Sequence, residues 1–270
     1  MKLAARRLVG AVALMGALGL AALPVVDERR LLPGQSFALR VDAGNVIVSR
    51  GEEPEVRVEG DLLPGQRLVW RESAARLSLA VDDRARLAPR PVALRMTVPA
   101  ETSLALRLGD ASLRLDGVGG ERLRVEGDGG ELHIATASPR LHAETRSGRV
   151  DVELAEPSRV RLASISGDLL LRAGSTSGLD ARLESHSGHI RVRVPEGQGL
   201  AVRLMQASGN AELPAGVRLL GDGRMLLGAP DAAGAEPVVD GADPRDGRLR
   251  IDTFSGNFFL GIDPIAPTTP

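Results

Sequence analysis

The chain contains no cysteine and no tyrosine, and only one tryptophan and four phenylalanines in 270 residues. Lacking cysteine, it has no disulfide framework, no thiolate metal site, no cysteine nucleophile and no lipid attachment at a mature N-terminal cysteine, so its stability has to come from packing alone. Lacking aromatics, it has almost no stacking platforms for sugar rings. Lys2 is the sole lysine, which makes the cationic surface all guanidinium. No Gly-rich loop ends in Lys followed by Ser or Thr, no dinucleotide fingerprint opens a helix, and no Ser stands between two glycines in a nucleophile elbow. Nucleotide binding and that class of hydrolase chemistry are therefore unsupported. Charge of one sign is never concentrated either: without Lys2, Arg6 and Arg7 the 34 cations fall to 31 against 35 acids, and Arg191, Arg193, Glu131 and Asp151 stand singly along alternating stretches. That distribution argues against a nucleic-acid partner.

What the chain does have is a recurring corner of a small residue and Gly, bracketed by alternating apolar positions: Ala43-Gly44, Gly129-Gly130, Ser147-Gly148, Ser166-Gly167, Ser187-Gly188, Ser208-Gly209 and Ser255-Gly256. Gly109, Gly130, Gly148, Gly167, Gly188 and Gly209 follow one another at steps of 21, 18, 19, 21 and 21 residues. A period near twenty indicates stacked units, and alternation at period two indicates half-buried strands whose Arg, Glu, Asp and His face water. All three asparagines, Asn45, Asn210 and Asn257, directly follow a corner Gly, and Asp110 and Asp168 hold the same slot. Gly, Asn and Asp are the residues that tolerate positive φ, so these positions read as turns.

One unit alone buries too few aliphatic side chains to offset the entropy of ordering about twenty residues, so neighbouring units must share backbone hydrogen bonds and a column of Val, Leu and Ile. The fold expected is all-β, a single-stranded right-handed β-helix, with right-handed winding taken as the default chirality. An antiparallel β-sandwich is the alternative, because a Ser-Gly or Gly-Asn pair between alternating runs is also a hairpin signal. The near-constant step favours stacking. In that register His189 lies between Asp168 and Asn210, and Val192 points inward between Leu171 and Leu213.

Lys2, Arg6 and Arg7 precede an uncharged run, residues 8–26, that reads as an export signal or an N-terminal membrane anchor over 1–26; Gly19 and Ala21 suit cleavage after Ala21. The body lies outside the cytoplasm on either reading, in the periplasm or cell envelope, and membrane contact is expected only through this segment if it is not cleaved. The β-helix domain is expected over 36–262. Within it, 36–100 holds the first coil and capping strands, with strands at Val56–Glu59, Leu68–Trp70, Leu77–Val81 and Val92–Val98 forming antiparallel pairs over the open sheet edge. Regular coils occupy 101–213, an insertion with a hairpin of Val217–Leu220 and Arg224–Leu227 occupies 214–247, and a last coil at 248–262 carries Phe254, Phe258 and Phe259 as an end plug. The tail, 263–270, has no pattern and is expected to be disordered.

Candidate sites are few. His186 and His189 flank one corner and would bind a metal if both nitrogens converged there, but no third ligand is specified and a place in a polar corner ladder explains His189 equally. His133 and His142 occupy outward positions. The repeated corner serines lack a distinctive His and acid partner, and repetition itself points to a turn role. Gly127, Gly129 and Gly130 around Asp128 resemble part of a calcium-binding glycine-rich repeat without its nonapeptide. Asp151 and Glu153 share a face with Leu170, Arg191 and Arg193, where ion pairing accounts for them better than glycoside hydrolysis. Neither catalytic residues nor a cofactor are specified.

The stretch Val98-Pro99 followed by Leu104, Leu106, Leu113 and Leu115, and corners reading S-G-R-V-D-V, S-G-D-L-L-L, S-G-H-I-R-V and S-G-N-F-F-L, resembles the bacterial putative-adhesin β-strand-repeat family, a domain of unknown function. The resemblance covers Ser36 to Ile262 and implies a right-handed β-helix exported to the cell envelope; it brings no catalytic residues. The chain departs from the pattern in the insertion and at Leu108-Gly109, where Ser is replaced. The leading expectation is a non-enzymatic envelope protein with an adhesin-like binding or scaffolding surface for a protein or glycan. A membrane-tethered envelope sensor or stress-response module is the alternative, and a glycan-active enzyme comes third.

Overall fold

The computed structural model describes residues 22–83, 88–156, 158–215, 217–219, 224–227 and 247–263, and every regular element among them is a strand. The N-terminal part holds β1 (Leu23–Arg30), β2 (Ser36–Gly51), β3 (Glu55–Leu62), β4 (Gln66–Glu72), β5 (Arg76–Asp83) and β6 (Val92–Pro99). Next come β7 (Leu104–Val118), β8 (Leu123–Gly127) and β9 (Leu132–Thr136). Three further pairs complete the regular part: β10 (Arg140–Thr145) with β11 (Val150–Leu154), β12 (Arg159–Ser164) with β13 (Leu169–Ala173), and β14 (Asp180–Ser185) with β15 (Ile190–Pro195). The C-terminal part holds β16 (Leu200–Ser208), β17 (Ala211–Glu212), β18 (Val217–Leu219), β19 (Arg224–Leu227), β20 (Gly247–Ser255) and β21 (Phe258–Asp263).

Strands one period apart pair in parallel, not as hairpins. The first strand of each pair, β8, β10, β12 and β14, joins one column, and β9, β11, β13 and β15 join a second. Strands β2 and β7 run through the corner unbroken, so each contributes to both columns and links them into one hydrogen-bonded sheet. The alternation explains the core: Phe37, Leu39, Val41, Val46 and Val48 of β2 are buried, as are Leu169, Leu171, Ile190 and Val192 further along.

Two ends depart from the expected order. At the N-terminal end β5 and β6 lie parallel to β2, while β4 and β3 are their antiparallel partners, so the cap is a mixed continuation of both columns. Strand β1 pairs with β3 over its full length, which puts Leu23–Val26, expected in the N-terminal segment, in a strand of the sheet. Trp70 on β4 packs on Phe37 and donates from Nε1 to Asp27 Oδ2 at 2.8 Å, tying the ends of the two columns together. At the other end, β20 lies between β14 and β16, and β21 between β15 and β17. The last coil in sequence is thus not the last in the stack. His189 neighbours Asn257 rather than Asn210, and Val192 lies between Leu171 and Leu260 rather than Leu213. The hairpin of β18 and β19 forms and extends the first column beyond β16. Of the expected aromatic plug, Phe258 is buried but Phe254 is exposed. Most of the loop 228–247 and all but Asp263 of the tail lie outside the described residues.

The corners carry three polar ladders. Each corner Ser, at 147, 166, 187, 255 and 208, donates its hydroxyl to a carbonyl of the neighbouring corner at 3.1–3.3 Å. Inside the turn, Thr145, Ser164, Ser185 and Thr253 stack in register, and Ser164 and Ser185 accept the N–H of Gly167 and Gly188 at 2.7 and 2.9 Å. After the glycine, Asp168 accepts from His189 N–H, His189 Nδ1 from Asn257 N–H and Asn257 Oδ1 from Asn210 N–H, at 2.9, 3.2 and 3.0 Å. Gly148, Gly167 and Gly188 are not in the left-handed region: a Cβ on each would overlap the carbonyl oxygen of the corner glycine one coil away. Close approach, more than positive φ, selects Gly there; Gly44, Gly130 and Gly209 combine both, at φ of 119°, 81° and 115°. A Cβ on Gly109 would meet the Asp42 carbonyl, and one on Gly256 that of Gly188, while Asn45 lies opposite Ser112.

Candidate functional site

Outward positions on a solvated sheet are normally filled by long polar side chains. On the first column they are not, where β5, β2 and β7 meet. Ser78, Ala38 and Ala105 lie side by side in register, with Ala80 beside them in the next row. These short side chains form the floor of a groove of about 940 Å³. Its walls carry six arginines, Arg40, Arg71, Arg76, Arg90, Arg107 and Arg124, against the carboxylates of Asp42, Asp82, Asp83 and Glu126.

The cations are held to different degrees. Glu126 takes Arg107 at 3.0 Å and Arg124 at 2.5 Å; burial pushes its carboxyl up, but the hydrogen bond and charge of Arg124, with the charge of Arg107, outweigh that and hold it below the usual carboxylate range. Arg40 reaches Asp42 at 3.3 Å. Arg71 and Arg76 make no ion pair among the described residues, so their guanidinium donors face the groove's solvent unmatched.

One rim is built from a duplicated turn. The pentapeptide L-L-P-G-Q occurs at 31–35 and again at 62–66, and in both the Gly takes a left-handed φ of 79° or 90°. In both copies the buried Gln folds back so that Oε1 accepts the N–H of the residue three positions earlier, at 2.9 and 2.8 Å. Gln66 then donates to Asp83 and to the Arg90 carbonyl, while Arg90 grips Asp83 with two bonds of 2.9 and 2.8 Å and the Pro64 carbonyl with a third. The Arg90 hydrogen bond holds the Asp83 carboxyl below its usual range; burial opposes this and Gln66 adds to it. The turn repeat was visible in the sequence as a five-residue duplication. The small-residue floor was not, since its members come from three separate strands.

The row that forms the floor continues beyond it. From Arg71 it passes through Ser78, Ala38 and Ala105 to Arg124, then His142, Arg161, Arg182, Arg250 and Arg203, each opposite the next on the neighbouring strand. The adjacent row is largely acidic: Glu126, Glu144, Ala163, Glu184 and Asp252, ending at Met205. Ion pairs bridge the rows, among them Arg182–Glu184, Arg250–Asp252 at 3.0 Å and Arg161–Glu184 at 3.4 Å. Arg203 has no ion-pair partner among the described residues.

A second depression, about 840 Å³, lies at the corner end of the same face, where Ile165, Met205 and Phe254 are about half exposed. His186 stacks flat on Phe254 there, with ring centres 5.0 Å apart. His189 is engaged elsewhere, through Nδ1 with Asn257 and edge-on to Phe259. The two histidines thus serve different neighbours, and among the described residues no group of three His, Asp or Glu is placed to hold a metal ion. His142 is half-buried beside Glu144, and Asp151 pairs with Arg172 at 2.8 Å rather than with Arg191 or Arg193. No described helix is long and apolar enough to cross a membrane.

No family model matches the chain, and no curated protein does. Solved structures do. A structure from Bacteroides fragilis, named a putative adhesin, is similar over 89% of this chain and 97% of its own, at 13% identity and a TM-score of 0.50. A putative cell adhesion protein from Clostridium sporogenes matches 89% of this chain and 100% of its own, at 11% identity and a TM-score of 0.40. A putative lipid binding protein from Parabacteroides distasonis matches 89% and 96%, at 11% identity and a TM-score of 0.41. The Bacteroides likeness is one of fold: an all-β chain of mostly parallel strands.

Proposed function

We propose that the chain is a non-enzymatic, exported β-helix of right-handed winding, whose first-column face is an adhesin-like binding surface with the arginine-walled groove as its ligand site. The observation that carries this reading is the groove floor: three strands with no local reason to do so place Ser78, Ala38 and Ala105 together on a solvated face and ring them with arginines. Packing stability gains nothing from such a depression, whereas a ligand does. The parallel step of one period from β8 to β15 supports the β-helix, and the fold likeness to a structure named a putative adhesin supports the functional class.

Export is supported by the N-terminal segment. With Leu23–Val26 in β1, the uncharged run left over is Leu8–Ala22, or 15 residues. As a helix that run would reach about 22 Å, short of the ~30 Å hydrocarbon core. Cleavage after Ala21 is favoured over a tether. N-terminal sequencing of the mature protein is expected to start at Ala22; an intact Met1 would favour the tethered-sensor reading. Incubation of the purified domain with cell-envelope glycans is expected to give retention without turnover. Hydrolase or lyase activity that a single Asp or Glu substitution abolished would overturn the non-enzymatic reading.

A further inference from the structure

Resting on the reading of this face as a binding surface, we infer that its ligand is a linear acidic polysaccharide lying across the strands, from the groove along the basic row. Three observations select that chemistry. The row is long: the registers step from Arg71 to Arg203 without a shift, at ~4.8 Å per strand, and within it Arg161, Arg182, Arg250 and Arg203 stand on successive strands at a spacing close to one pyranose ring, while the small-residue floor separates Arg71 from Arg124. A small anionic metabolite would need only the groove. A polymer with a charge on each sugar uses the whole row.

The second observation is where the unmatched charge lies. Arg71 and Arg76 at one end and Arg203 at the other have no ion pair among the described residues, and the arginines between them are exposed side chains resting on the half-buried carboxylates of Glu126, Glu184 and Asp252. Each guanidinium presents five donors, of which those pairs use one or two, so a bound carboxylate or sulfate can share the same side chains. The third is the acidic row alongside. A flat anionic membrane would have to cover Glu126, Glu144, Glu184 and Asp252 together with the arginines, whereas a single chain one ring wide follows the basic row and uses the carboxylates as acceptors for its hydroxyls. Nucleic acid is disfavoured for a separate reason: the groove lining includes no aromatic side chain on which a base would stack.

The test uses the mature chain, immobilised, with polygalacturonate and dextran sulfate as probes and neutral dextran, anionic phosphatidylglycerol vesicles and single-stranded oligo-dT as comparisons. Polygalacturonate or dextran sulfate is expected to bind, more weakly as salt rises from about 50 to about 200 mM, with neutral dextran not retained. Arg71→Ala with Arg76→Ala should weaken binding roughly tenfold for both short oligosaccharides and long polymer. Arg161→Ala with Arg203→Ala should weaken only long polymer. None of these arginines packs in the core, so thermal melts of both double variants should match the parent.

Equal binding by parent and both variants would overturn the inference, as would tighter binding to vesicles or oligo-dT than to either acidic polymer. Retention of neutral glycans alone, unchanged by the arginine substitutions, would also overturn it while leaving the binding-surface reading in place. Cleavage of a bound polymer would instead overturn the non-enzymatic reading.

Discussion

At the scale of single residues, the corners separate two reasons for a glycine that composition alone does not distinguish. At Gly167 a Cβ would overlap the Gly148 carbonyl oxygen, in a corner that the Ser147 N–H to the Asp128 carbonyl on one side and the Ser166 N–H to the Arg146 carbonyl on the other hold in place. Gly167→Ala should therefore cost about 3 kcal/mol of folding free energy. Gly197, at φ of 76° with no atom within 4 Å of its would-be Cβ, carries only backbone strain, and Gly197→Ala should cost about 1 kcal/mol. Urea denaturation of the two variants checks the order. The inner hydroxyl ladder gives a second contrast. Ser185 Oγ accepts the Gly188 N–H, so Ser185→Ala leaves a buried donor unmatched and should destabilise by roughly 1–3 kcal/mol. Thr145 is equally buried, yet its Oγ1 has no hydrogen-bond partner among the described residues. Thr145→Val removes that unmatched hydroxyl at nearly constant shape, and thermal melting should show it neutral or up to about 1 kcal/mol more stable than the parent.

At the scale of elements, the inward faces of the long strands were legible because of the period of two: along Phe37 to Val48 and Leu104 to Leu115 buried positions alternate with more open ones. Strand β1 was not, because Leu23–Val26 continue an apolar run and alternate with nothing before Asp27. The basic row was hidden for a related reason. Each arginine in it stands on a different strand, and only lateral pairing brings Arg124, Arg161, Arg182 and Arg250 into one line. A sequence scan for basic runs reads along the wrong axis. The groove rim offers a prediction in pH. Arg90 holds the Asp83 carboxyl below its ordinary range, so the stabilisation is present above the ordinary aspartate value and is lost as pH falls through the lowered one. Amide exchange at Leu63 and Gln66, in the turn clasped by Arg90, should rise over that acid window. Asp83→Asn should show the faster exchange at neutral pH already and lose the acid transition; a transition that persists in Asp83→Asn would assign it to another carboxylate.

At the scale of the whole molecule, chain order and stacking order differ at the C-terminal end, and the repeat explains why. Position Ala201 follows Asp180 by one period of 21, the same step that separates Gly188 from Gly209, so β16 is patterned to dock directly on β14. In the folded protein β20 takes that place, pairing Asp180 with Arg248 on one side and Ala201 with Arg248 on the other. The contact of Asn257 with His189 spans 68 positions, and such non-local pairing is slow to form. Because β16 precedes β20 in the chain, it is expected to dock on the β14 edge first, with β20 then inserting between two strands of matching alternation. A chain lacking residues 247–263 should keep the earlier pairing, with Ser185 opposite Gln206; in the full chain Thr253 stands between them. Since the protein has no cysteine of its own, Ser185→Cys with Gln206→Cys reports on this directly. Neighbouring strands put the two Cα atoms ~4.8 Å apart, within disulfide reach, and an intervening strand doubles that distance beyond it. Mild oxidation should close the disulfide in the shortened chain and leave free thiols in the full one. Free thiols in both would mean that β16 waits unpaired for β20, and a disulfide in both would contradict the insertion of β20.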